Sequence, residues 1–116
     1  MSVASKISEI LASLPAGVKL VAVSKFHPIE AIKEAGIYDD SIIIVTSDHG
    51  GINTSHGGRS LMEMDTPFVI AGKNVKKGGE FSEAMMQYDT AATIAEAFGL
   101  KTPQLWRGQS MSQVFE

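Results

Sequence analysis

Val3, Ile7, Ile10, Leu11 and Leu14 recur at three- and four-residue spacing, so residues 2–14 predict a helix with one apolar stripe. Ser2 or Ser5 is placed to cap it, and Pro15-Ala16-Gly17 stops it. Val18 to Ser24 is a β-branched run of strand length. His27-Pro28 opens a second helix that ends near Gly36, with a mixed face from Ile29, Ile32 and residues 33–35. Tyr38-Asp39-Asp40 reads as a turn. Ser41 to Ser47 is the strongest strand in the chain. Its unbroken apolar centre, Ile42-Ile43-Ile44-Val45, predicts burial on both faces, as in a central parallel strand.

A long glycine-rich loop, 48–60, follows that strand, then a short helical turn at Ser60–Met64 and a third strand at Thr66–Gly72. Lys73–Gly79 is a basic turn, and 80–87 reads as a short extended piece. Asp89 is expected to cap a helix over Thr90–Phe98, closed by Gly99, with Ala91, Ile94, Ala95 and Phe98 facing inward. The tail 100–116 is expected to dock Trp106 on the core and to end in a short helical turn. Strands alternating with helices predict one α/β domain over residues 1–116. The expected form is a three-layer sandwich with a small, mostly parallel sheet and helices on both faces. Such sheets bind ligands beyond the carboxyl ends of their strands, where Lys25, His27, Asp48 and His49 all fall.

Composition narrows the function classes. The 116 residues are 44% hydrophobic and 20% charged, with net charge −3 and pI about 5.6. No basic field exists to draw nucleic acid or an anionic membrane, so neither partner is expected. Without cysteine there is no disulfide, no thiolate zinc site and no thiol nucleophile. No apolar run approaches the roughly 20 residues of a membrane span, and no signal-peptide core opens the chain. A cytoplasmic setting is the expectation.

Candidate chemistry gathers in Thr46-Ser47-Asp48-His49-Gly50-Gly51 and Ser55-His56-Gly57-Gly58. A divalent metal needs anionic oxygen and imidazole nitrogen fixed at a strand end, with small residues letting the backbone turn the ligands inward. Two or three such ligands hold zinc weakly; the alternative is that Asp48 and His49 only finish the strand. His27 could add an imidazole if its strand lies beside the Ser41–Ser47 strand; the plainer reading is an exposed histidine before Pro28. Ser24 and Ser47 lack the elbow of a nucleophilic serine. Lys73, Lys76 and Lys77 form a solvated turn. Met62, Met64, Met85, Met86 and Trp106 read as core or interface filler; if they are exposed, a homodimer is favoured.

The order Gly36 to Gly51, then Thr66-Pro67-Phe68-Val69-Ile70-Ala71-Gly72, Tyr88-Asp89-Thr90-Ala91-Ala92-Thr93-Ile94, and Gly99-Leu100 with Pro103 resembles the C-terminal segment of the alkaline phosphatase/sulfatase superfamily. The resemblance covers residues 36–116. It implies that Asp48 and His49 match ligands of one metal and that His56 matches a ligand of a second. The upstream metal-binding aspartate and the serine or threonine nucleophile of that superfamily have no counterpart here.

Leu14 to Pro28, with Val21-Ala22-Val23-Ser24-Lys25 at its centre, resembles the N-terminus of the YggS/PROSC family of pyridoxal-phosphate-binding proteins. That resemblance covers residues 1–35 and implies a Schiff-base role for Lys25, although the barrel strands that hold the cofactor's phosphate are missing. Taken together, the two resemblances imply a chimera joined within Ile29–Gly36, engineered or selected; the alternative, a natural fusion, would need a reason to lose both active sites. Three functions compete. The first is a folded chimeric domain with no complete active site, no evolved catalysis and no defined small-molecule substrate. The second is a remnant ester hydrolase that binds zinc or another divalent metal and retains trace activity. The third, pyridoxal phosphate binding through Lys25, is disfavoured because an exposed lysine is the default.

Overall fold

The computed structural model describes residues 2–20, 29–34 and 36–116. The chain divides into two compact units, residues 1–41 and 42–116.

In the first unit, α1 spans Val3–Ser13. Ser2 is the cap: its hydroxyl accepts the Ser5 N–H at 3.2 Å, satisfying one of the donors every helix start leaves free. The apolar stripe forms as patterned but lies at the surface, with Val3, Ile10 and Leu11 each nearly half exposed. A turn through Pro15 and Gly17 ends the helix, the Val18 N–H bonding the Pro15 carbonyl. The predicted strand at 18–24 does not begin: Val18, Lys19 and Leu20 are irregular. The rest of that segment, with Lys25 and His27, lies outside the described residues. Helix α2 covers Ile29–Glu34, and a 3-10 turn follows at Tyr38–Asp40. Lys33 Nζ sits 5.2 Å above the Tyr38 ring.

The second unit opens with β1, Ile42–Thr46, and returns in β2, Phe68–Gly72. These two strands pair antiparallel, Ile42 opposite Gly72 and Thr46 opposite Phe68. The expected three-layer α/β sandwich with a mostly parallel sheet is therefore not the fold. Among the described residues the sheet has two strands and they run in opposite directions. The cause lies between them. A parallel return needs a crossover, usually a full helix. Here the only helix in the connection is the single turn α3, Leu61–Met64. The connection instead doubles back, with the Gly50 N–H on the Glu63 carbonyl and the Gly51 N–H on the Met62 carbonyl, both at 2.9 Å. That brings residues 62–65 beside the exit of β1, so β2 starts there and runs home.

The apolar run of β1 is consequently not buried on both faces. Ile42, Ile43 and Ile44 are half-buried, and Val45, opposite Val69, is 57% exposed. The core sits instead between α4, Asp89–Ala97, and the closing segment. Val75, Ala92, Thr93, Ala95 and Met111 are buried there. The buried face of α4 differs from the expected one: Ala91 is exposed, Ile94 and Phe98 are half-buried, and Asp89, Ala92 and Thr93 take the inner positions. Polar side chains go inside because the tail supplies their partners. Nor does Asp89 cap the helix; it lies in the first turn and accepts the N–H groups of Met86 and Gln109, each at 2.8 Å. Met111, not Trp106, fills the core, and Trp106 stays 47% exposed. The tail ends in a 3-10 turn, Ser112–Val114, as its sequence suggests. Phe115 bridges Val75, which fastens the chain end to the segment after β2. Residues 80–87 are irregular rather than extended. Among the described residues no helix is long and apolar enough to cross a membrane.

Candidate metal centre

Strand β1 delivers Asp48 and His49 to the mouth of the 48–60 loop. Gly50 makes the turn beyond them feasible: a Cβ at that position would collide with the Met62 carbonyl oxygen, so only glycine lets the loop close on α3. Farther along, Ile52 and Ser55 exchange backbone hydrogen bonds around Asn53, whose φ is +54°. This tight turn returns the chain and lays the His56 ring on the His49 ring, with centroids 4.4 Å apart and planes inclined by 25°. Asp48 Oδ1 lies 3.7 Å from His49 Nε2. The structure thus brings Asp48, His49 and His56 together.

The proton on His49 follows from its neighbours. Nδ1 is 2.6 Å from the Gly50 carbonyl oxygen, which can only accept, so Nδ1 carries the hydrogen. In the neutral ring this leaves the Nε2 lone pair on the side of Asp48. The Asp48 carboxylate is 89% exposed and spends most of its charge on solvent.

Two further residues shape the site, and neither was singled out from the sequence. Glu63 accepts the Ser60 hydroxyl at 2.7 Å and the Gly58 N–H at 2.9 Å. The Ser60 hydrogen bond first, then the Gly58 N–H, with a smaller share from His56, hold its carboxyl below the ordinary glutamate range. Ser60-Leu61-Met62-Glu63 has the Ser-x-x-Glu spacing of a helix-start capping box, and that signal could have found Glu63. Gln87 donates its amide to the carbonyls of Ser47, at 3.1 Å, and Asp48, at 2.7 Å, tying the strand exit to the segment before α4. No local pattern announces Gln87.

A metal held by these residues would need their donors to converge. Imidazole binds zinc in its own ring plane, at about 2.0 to 2.1 Å. Two rings stacked at 25° send their lone pairs along nearly parallel planes, so one ion cannot sit in both. Among the described residues, no group of three or more histidine, aspartate or glutamate side chains is placed to hold a metal ion. The donor types that the superfamily resemblance implies are present, Asp48 with His49 for one metal and His56 for a second, without three of them converging on one ion among the described residues. Lys25, the candidate pyridoxal lysine, lies outside the described residues.

Comparison with known proteins gives partial matches. Phosphopentomutase of Agathobacter rectalis is 33% identical over 89 residues, which is 77% of this chain and 22% of that protein. The extracellular sulfatase SULF-1 homolog of Drosophila melanogaster is 31% identical over 97 residues, 78% of this chain and 8% of that protein. Phosphopentomutase of Herpetosiphon aurantiacus is 33% identical over 70 residues, 60% of this chain and 18% of that protein. The chain therefore spans about a fifth of the phosphopentomutases and less than a tenth of the sulfatase. A stretch covering 77% of the chain necessarily includes Asp48, His49 and His56, wherever it starts. No family model matches the chain, and no solved structure matches it. Part of the chain is thus homologous to phosphopentomutase and sulfatase sequences of the alkaline phosphatase superfamily. The match to the Agathobacter rectalis protein starts at or before residue 28, and nothing in these relatives supports the resemblance of residues 1–35 to pyridoxal-phosphate-binding proteins.

Proposed function

We propose that this chain carries the closing segment of an ester-hydrolase-type fold without a complete active site, and that it has no efficient ester-hydrolysing activity of its own. The observation that carries the proposal is the His49–His56 stack beside Asp48. These side chains keep the order and the donor chemistry of a ligand set, while His49 and His56 stack on each other and Asp48 stays exposed to solvent. His49 Nδ1 is spent on Gly50, and Glu63 is spent on Ser60 and Gly58. The match to about a fifth of a phosphopentomutase fits this reading, because a larger protein would have to supply the remaining groups.

Residues 1–35 are assigned, on this proposal, to a different parent from residues 36–116. The support is their separate sequence resemblance; the nearby division of the chain after Ser41 is in keeping with it.

The test is a zinc titration followed by the ring signals of His49 and His56. On this proposal, equimolar zinc leaves both in place. A saturable one-to-one shift, lost in Asp48→Ala and in His49→Ala, would favour the alternative of a divalent metal held at Asp48, His49 and His56.

A further inference from the structure

A turn in the tail carries a side chain that turn chemistry does not explain. The Trp106 N–H bonds the Pro103 carbonyl at 3.0 Å, so Gln104 and Leu105 form the tip of that turn. Turn tips favour glycine, asparagine, aspartate or serine. Leu105 stands there 95% exposed, the most exposed large apolar side chain among the described residues.

Beside this knob lies a hollow. An open depression of about 290 Å³, where the tail crosses the start of α4, is lined by Tyr88, Ala91, Trp106, Arg107 and Gly108. Its surface is almost wholly apolar. An apolar cavity of about 150 Å³ already accepts benzene, so this depression has room for the branched end of a leucine. It is also preformed. The Gln109 N–H bonds Asp89 Oδ1 at 2.8 Å, and the Gly108 backbone packs so closely on the Tyr88 carbonyl that a Cβ would collide with it. No part of the Asp48–His49–His56 cluster belongs to it.

The uncovered area sets the size of the partner's contact. Tyr88 is 57% exposed and Trp106 47%. At about 200 Å² for a large side chain, these two and Leu105 leave about 400 Å² open to solvent. Monomers ordinarily carry no patch above about 300 to 600 Å², and patches of that size are often binding surfaces. Two copies placed face to face bury this one twice, about 800 Å², and with its rim they reach the low end of specific interfaces, about 1,200 Å². That is the size of a dimer that dissociates on dilution.

The placement of knob and hollow decides between a second copy and a foreign chain. Leu105 and Trp106 are consecutive, so a two-fold axis beside the turn sends each Leu105 into the hollow of the other copy. We propose that this face is self-complementary and that its partner is a second copy of this chain, Leu105 of each seated against Tyr88, Ala91 and Trp106 of the other. Tyr88, Trp106 and Arg107 are the three residue types that most often anchor such contacts.

The experiment follows the full chain by sedimentation equilibrium from about 5 to 500 µM, the range in which so small an interface associates. The mass is expected to rise from 12.4 kDa toward twice that value. The emission of Trp106, the only tryptophan in the chain, shifts to the blue over the same range. Leu105→Asp removes the knob at a position too exposed to disturb the fold. Ala91→Leu fills the hollow from an exposed helix position with a good helix former. Each weakens dimerisation about thirtyfold, the loss of an interface anchor, and leaves urea unfolding of the monomer unchanged. A chain that stays monomeric at every concentration overturns the proposal and assigns the face to a different protein. A dimer that either variant leaves undiminished overturns it as well.

Discussion

The hydroxyl of Thr93 accepts the backbone N–H of Met111 at 3.1 Å, at a fully buried position. The same hydroxyl donates to the Asp89 carbonyl one turn back, at 2.8 Å. A polar side chain thus joins α4 to the closing segment at the centre of the core. Thr93→Val keeps the shape and removes both bonds, leaving the Met111 N–H buried without a partner. It should cost about 2 kcal/mol in urea unfolding. Thr93→Ser, which keeps the hydroxyl, should cost about 1 kcal/mol for the lost methyl.

Asp89 carries the second link. Its two carboxylate oxygens hold the N–H groups of Met86 and Gln109, on opposite sides of the helix start. Asp89→Ala abandons both and should destabilise by about 3 kcal/mol. Asp89→Asn retains one acceptor oxygen and should fall between Ala and wild type. A chemical-denaturation series of the three proteins gives that order directly.

Acid should loosen the same seam through Glu96. The hydroxyls of Ser110 and then Ser112 hold its carboxyl below the ordinary value of 4.5. The Ser112 hydroxyl donates to it at 2.6 Å. A carboxyl whose pKa is lowered by folding stabilises the folded state fully above its unfolded value. That contribution disappears as pH falls through the lowered folded value. Amide signals of Ser112 and Val114 should therefore move below about pH 4.5, and Glu96→Gln should abolish that titration.

Gly50 is the hinge of the candidate metal loop. In Gly50→Ala the new Cβ meets the Met62 carbonyl, a backbone atom that cannot swing aside. The pair of bonds from Gly50 and Gly51 to α3 must then open. A stability loss of about 2 kcal/mol is expected, with faster amide exchange at residues 50 and 51.

Both strands of the sheet were legible in the sequence because Ile42-Ile43-Ile44-Val45 and Phe68-Val69-Ile70 are β-branched or aromatic and bounded by turn residues. Their direction was not. It is set by the Gly50 and Gly51 hydrogen bonds to α3, and periodicity carries no information about pairings made across a loop. The Ser2 cap was legible for the opposite reason: a cap is decided within three residues. Helix α4 was legible as a helix, but its inner face was not, because Asp89 and Thr93 become tolerable inside only once Gln109 and Met111 bring donors. In the site, Asp48, His49 and His56 could be read as neighbours from strand end and glycine spacing. The stacking of the two rings depends on the Ile52–Ser55 turn. The grip of Gln87 on the strand exit links residues about 40 positions apart, beyond any local pattern.

Ester turnover by the purified full chain tests the central claim most directly. 4-Nitrophenyl phosphate and 4-nitrophenyl sulfate are offered with and without added zinc. Rates no greater than those of His49→Ala under the same conditions are expected. Multiple turnovers that require zinc and vanish in Asp48→Ala or His49→Ala would contradict it.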